Sequence, residues 1–279
     1  MAMMERPGVF TMTDPKQHAA RRRLFARTFS KTHLRQHWEP VIRETVDLAV
    51  ARMQDDAQSS GTEIVDVMKF MASDISSHLM FGEDFHNLER GEVNQYMRVL
   101  ANRLMAGGIA AELPNIQQIG VRLPFQAAKE LFACNQIMEE YGKAAVTNTK
   151  ARGSTKNIFS NLMAEAEKGD RLGDRDVELE ATNLIVAGTD TTAITLTYLA
   201  EVAALPREYT HAELETLPLL NATLQETLRL YGAAAAMLPR VVPSGGVNLD
   251  GYFLPEGNIA TTRSYSLHRD PYLFLDPEE

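Results

Sequence analysis

Cysteine is almost absent. Cys134 is the only one in 279 residues, so no internal disulfide can staple the fold. Long apolar runs are missing as well. No stretch of about 18 consecutive apolar residues occurs, which excludes a transmembrane helix from this sequence. The opening Met1-Ala-Met-Met-Glu-Arg-Pro-Gly8 carries no signal-peptide pattern. There is no excess of positive charge either: 28 Lys and Arg against 37 Asp and Glu leave a net charge of −9 and a pI near 5.4. That balance argues against a nucleic-acid binder. A Walker loop, a nucleophile elbow and a dinucleotide glycine fingerprint are all lacking. So are internal repeats and low-complexity tracts. His33 and His37 have the helical spacing of metal ligands, but no third ligand joins them, so they read as a surface pair and no metal site is expected.

What is present is a globular composition, 44% hydrophobic and 23% charged, enough for one large domain or two small ones. Its centre is the stretch Asp176–Leu205. Apolar residues at mostly helical spacing (Val177, Leu184, Ile185, Val186, Ile194, Leu196, Leu199, Val202) run through it, and Pro206 stops it. As one helix it would be about 45 Å long. In its middle stands Ala187-Gly188-Thr189-Asp190-Thr191-Thr192. Gly188 weakens a helix by about 1 kcal/mol against alanine, and Asp190 is costly to bury unpartnered. Several broken local rules in one core helix mark a functional site. The competing reading is a core helix bent by threonine hydroxyls bonding back to carbonyls one turn earlier.

Before the central stretch the pattern is helical. Asp14-Pro15 reads as an N-cap and first helical position, with Gln17 placed as a capping-box partner and the helix running to about Phe29. His18 and Arg22 share one face of it. Residues 1–40 hold eight Lys/Arg against three Asp/Glu, so a solvated basic face competes with any binding role. Amphipathic helices follow at Trp38–Met53 and Ile64–Phe81, the second ending at Gly82. The methionines along them read as core filler. Further helices are expected at about 92–106, 126–150 and 155–168, with breaks at Pro114, Pro124, Gly153 and Gly169.

After a short charged link, Leu217–Tyr231 forms another helix carrying Glu226-Thr-Leu-Arg229, whose ends can pair at i and i+3. From Pro239 the pattern turns to strands. Arg240-Val241-Val242, Tyr252-Phe253-Leu254 after an Asp250-Gly251 turn, and a run to about Tyr265 make a small β region. Asp270-Pro271 caps the next turn.

Small-Gly-x-acid-Thr-Thr resembles the oxygen-binding helix of the cytochrome P-450 family of haem-thiolate monooxygenases. The early helix, the Glu-x-x-Arg and the β region follow in the family's order over nearly the whole chain. The resemblance implies a mainly α fold with a small β region, residues 1–279 forming a single incomplete cytochrome P-450-like domain. Its helical part would be 1–216, containing the long helix 176–205, and its Glu-x-x-Arg helix and small β region 217–279. It implies haem b bound against Ala187 and Gly188, Gly188 making the groove. Asp190 would be the proton relay and Thr191 the oxygen-side donor. His18 and Arg22 would clamp one propionate and Arg240 the other. Glu226 and Arg229 would anchor the loop behind the haem.

The implied reaction inserts one oxygen atom from O2 into a lipophilic small molecule, with electrons from a reductase. A soluble or peripherally membrane-associated cytoplasmic protein is expected. Family members are longer at the front, place another helix before the Glu-x-x-Arg helix, and carry the haem-ligating cysteine in a glycine-rich loop. Neither that helix nor that loop is found in these 279 residues, so the expected chain is truncated at both ends. Cys134, in Phe132-Ala-Cys-Asn-Gln136, reads as helix and does not replace the ligand. The alternative is a catalytically inactive remnant, or a helical interaction protein without haem iron.

Overall fold

The computed structural model describes residues 7–59, 63–113, 116–120, 122, 124–152, 157–167, 173–199, 218–233 and 237–277. They fall into two compact units divided at Ala193/Ile194.

In the first unit, α1 (Pro15–Phe25) starts as expected, with the Asp14 carboxylate accepting from the Gln17 N–H at 2.7 Å and Pro15 in the first turn. It stops short of Phe29, because Ser30 caps a separate helix, α2 (Lys31–His37), by accepting from the His33 N–H at 3.3 Å. α3 (Glu39–Ser59) and α4 (Ile64–Phe81) follow. α4 ends at Gly82, whose φ of 72° is the left-handed conformation that favours glycine. Beyond it lie the short α5 (Asn87–Arg90), α6 (Gln95–Glu112) capped by Asn94, and α7 (Ile116–Gly120). α8 (Gln126–Arg152), α9 (Ile158–Glu167) and α10 (Asp174–Gly188) complete the unit, with the start of α11 (Asp190–Leu199).

The core lies where α8 packs against α6 and α10, and α4 against α3 and α10. Leu100, Met138, Phe159, Leu162 and Ile185 are fully buried there. Each such side chain contributes about 1.5–3 kcal/mol. Met68, Met71 and Met80 of α4 are buried among them, as filler. One polar knot sits inside the apolar mass. Asp74, 1% exposed, accepts from the Asn87 N–H (2.9 Å), the Leu88 N–H (2.8 Å) and Asn87 Nδ2 (2.8 Å), tying α5 to α4.

In the second unit, residues 200–217 lie outside the described residues, and with them Pro206 and the charged link. α12 (Pro218–Tyr231) matches its expectation. β1 (Met237–Val241) pairs antiparallel with β4 (Ile259–Arg263), Arg240 opposite Ala260. β2 (Val247–Leu249) and β3 (Tyr252–Leu254) form a hairpin through Asp250-Gly251, both at positive φ (48° and 85°), the turn whose twist suits flanking strands. The last strand ends at Arg263 rather than near Tyr265, since Ser264–Leu267 is a helical turn, α13. The Asp270 carboxylate accepts from the Tyr272 N–H at 2.8 Å, the expected cap. No described helix is long and apolar enough to cross a membrane.

Candidate active site

The rod read from the sequence is divided. α10 ends at Gly188 and α11 begins at Asp190, with Thr189 (φ −89°, ψ −70°) between them. The ladder resumes where the Ala193 N–H meets the Thr189 carbonyl at 3.0 Å. Hydroxyls occupy carbonyls on the way into this break. Thr191 Oγ1 donates to the Ala187 carbonyl at 2.7 Å, bonding back one turn along the helix. Tyr96 Oη reaches from α6 to the Ile185 carbonyl at 3.3 Å and to Thr189 Oγ1 at 3.2 Å. Hydroxyls inserted beside a helical ladder bend it.

Gly188 does not face the open side. A Cβ there would lie 3.3 Å from Ser76 Oγ, so the missing side chain lets α4 approach the break. The space beside Gly188 is therefore taken up by α4, while its neighbour Ala187 is exposed. Ala187 and Thr191 are exposed and one turn apart, so they share a face, while Thr189 and Ala193 are buried opposite. Asp190 is half-buried beside them. Burial lifts its carboxyl above the ordinary aspartate range, against the pull of Lys69. The carboxyl thus keeps its proton to higher pH than an exposed aspartate would.

On α1, His18 is half-buried and Arg22 exposed. The residue that turns inward is Arg21, which sequence reasoning passed over. Its Nη1 meets Glu180 Oε1 at 2.9 Å, and Asp176 lies 3.7 Å away. Glu180 is fully buried and also accepts from the Val9 N–H at 2.9 and 3.1 Å. Burial raises its carboxyl above the usual range, opposed by the Val9 N–H and Arg21. This latch ties the segment before α1 to α10. Arg21-Arg22-Arg23 offers no signal to say which of the three goes in.

His33 and His37 stack with centroids 4.1 Å apart. His33 is pushed below its ordinary range by burial, His37 and Arg27. Among the described residues no group of three His, Cys, Asp or Glu could hold a metal ion. Cys134 is buried in α8, its thiol raised by burial with Arg103 opposing. Such a thiol is not an available ligand.

The second unit holds Glu226, Arg229 and Arg240. Arg229, its side chain 8% exposed, donates through Nε to Glu226 Oε2 at 2.8 Å and through Nη1 to the His268 (2.6 Å) and Pro277 (2.8 Å) carbonyls. Its guanidinium also lies 4.6 Å from the Phe274 ring centre. Glu226 is 48% exposed and held below its ordinary range by the Arg229 hydrogen bond. Arginine, not the pair, is therefore the buried anchor. Arg269 closes the same corner, donating to the Leu230 carbonyl at 2.6 Å with Tyr265 4.0 Å away. Arg240 is exposed on β1 and donates to its neighbour's carbonyl, Pro239, at 2.9 Å.

A porphyrin with two acid groups makes three demands: a flat small-residue face, cations, and an axial ligand. The exposed Ala187–Thr191 face meets the first, and Arg22 is an exposed cation of the same unit. Cys134 does not meet the third. The exposed small-residue face suits the flat ring.

Comparison with known proteins shows the family. The family description "Cytochrome P450" matches residues 2–279. The chain is 34% identical to cytochrome P450 monooxygenase stcB of Emericella nidulans, over 97% of this chain and 56% of that protein. It is 36% identical to cytochrome P450 monooxygenase tazI of Aspergillus terreus, over 97% of this chain and 60% of that one. It therefore spans under two thirds of the length of these curated relatives. The crystal structure of the cytochrome P450DA heme domain shares the fold, with a TM-score of 0.77 over 98% of this chain and 62% of that one at 17% identity.

Proposed function

The chain belongs to the cytochrome P450 family, and from that premise we propose that it binds haem b and serves the insertion of one oxygen atom from O2 into a lipophilic small molecule. The observation that carries the proposal is the exposed Ala187–Thr191 face at the break, with a half-buried, up-shifted Asp190 beside it. Haem, when bound, supplies the oxygen activation.

This chain's residues orient and exchange protons. Ala187 gives the ring a flat seat. Thr191 Oγ1, now donating to the Ala187 carbonyl, can rotate to offer its proton on the open side. Asp190 holds the proton that resupplies that hydroxyl, and burial keeps it there to higher pH than an ordinary aspartate. His18 and Arg22 hold one propionate. Arg229, paired with Glu226, fixes the backbone around His268 and Pro277. Electrons come from a reductase.

The second reading, a helical family member without haem iron, is favoured by one observation: Cys134 is buried in α8. Ferrous–carbon monoxide difference spectra of the protein incubated with haemin separate the two. The proposal expects a Soret band that Ala187→Phe abolishes. Absence of any Soret band in the unsubstituted protein supports the second reading.

A further inference from the structure

We propose that Tyr96 is a positioning residue: its hydroxyl, reaching from α6, holds the Thr189 break in the conformation that presents Ala187 and Thr191 to the open side. The inference deepens the reading above and rests on it for the catalytic consequence alone.

The ring itself is fixed. Tyr96 is 2% exposed and meets Phe85 (centroids 5.2 Å, 67°), Tyr141 (5.4 Å, 78°) and Phe81 (6.3 Å, 88°) edge-on. Edge-to-face packing on three sides leaves the phenol oxygen little freedom to wander.

Its hydrogen bonding then has one fully satisfied assignment. The single Oη proton goes to the Ile185 carbonyl (3.3 Å), which can only accept, and Thr189 Oγ1 (3.2 Å) donates to Oη. Ile185 and Thr189 are four apart, so they are the two ends of one rung of an uninterrupted helix. Tyr96 therefore bridges the rung at which α10 gives way to α11, one residue before Asp190 and two before Thr191. Thr189 is fully buried, so without Oη its hydroxyl has to find another partner within the helix. Burial also pushes the Tyr96 phenol up to about 12, which keeps the donor protonated throughout the physiological range.

Tyr96→Phe removes one oxygen and keeps the ring, and Thr189→Val removes the other end of the bridge. Hydrogen exchange on the protein without haem should accelerate about five- to tenfold at the amides of Thr189–Ala193 in either variant, the worth of one hydrogen bond. Amides of Val177–Leu184 should keep their rates. The double variant should exceed neither single one, because both delete the same bridge. With haem bound, both variants should send several-fold more reducing equivalents to peroxide instead of product, at unchanged KM.

Unchanged or slowed exchange at Thr189–Ala193, or additive effects, would overturn the assignment. A protein with the predicted exchange pattern but no ferrous–carbon monoxide band keeps Tyr96's positioning role and removes the proposed chemistry. A normal band with unaltered exchange does the reverse.

Discussion

Replacing Arg21 by methionine tests whether the latch between α1 and α10 is a working part of the fold. Methionine keeps most of the length and removes the charge. Glu180 is fully buried and Arg21 is 12% exposed, at 2.9 Å. Removing one member of a buried pair costs about 3–5 kcal/mol. Two features place this case at the low end. Glu180 retains the Val9 N–H at 2.9 and 3.1 Å, and its carboxyl is already raised, so it can take up a proton. A loss of about 3 kcal/mol is expected near pH 7.5, or a fall in Tm of about 6–12 °C for a unit of this size.

The sign of the pH dependence follows from linkage. A carboxyl raised above its unfolded value of 4.5 favours the folded state most below that value. That contribution is lost as pH climbs through the folded value. Without Arg21 the folded value rises further, so the variant's deficit shrinks on acidification. Urea unfolding near pH 7.5 and near pH 5 reads both quantities, with Arg22→Met, exposed and one residue away, as the control expected to cost under about 0.5 kcal/mol. An Arg21→Met cost no larger than the control's, or equal at both pH values, refutes the reasoning.

Asp74→Ala orphans the Asn87 and Leu88 N–H groups and should cost about 2–4 kcal/mol in chemical denaturation, whereas an exposed aspartate on the same helix, Asp66, should tolerate the change. Arg229→Leu strips hydrogen bonds from the His268 and Pro277 carbonyls and should destabilise its unit by about 2–4 kcal/mol by thermal unfolding. Glu226→Gln, on the exposed side of the same pair, should cost less than about 1 kcal/mol. Asp190→Asn in the haem-loaded protein should lower kcat by about 100-fold with KM unchanged. The unsubstituted protein's rate should fall as pH rises through the raised Asp190 value, a limb that the variant lacks.

Much of this fold was legible in the chain because its signals are local. Helices α4, α8 and α12 begin and end close to where apolar period, glycine and proline put them. The Asp250-Gly251 hairpin and the Asp14 cap needed only their own neighbours. The motif order was local too, and it carried the family. What spacing did not show lies where two hydroxyls, or two helices, had to meet. Spacing alone shows neither that Thr189 interrupts the long helix nor that the space at Gly188 is taken up by Ser76 of another helix.

Periodicity says which face of a helix is buried, but not what stands opposite it. The sequence by itself determined the elements, the fold family and the candidate residues Asp190 and Thr191, since backbone propensity and motif spacing act within a few residues. Tertiary structure alone decided that Arg21 rather than Arg22 goes inward, that Ala187 rather than Gly188 faces the open side, and that Tyr96 bridges the break. Each of those depends on a partner 89 to 159 residues away, or on an approach between helices, that only a packed core can bring within hydrogen-bond reach.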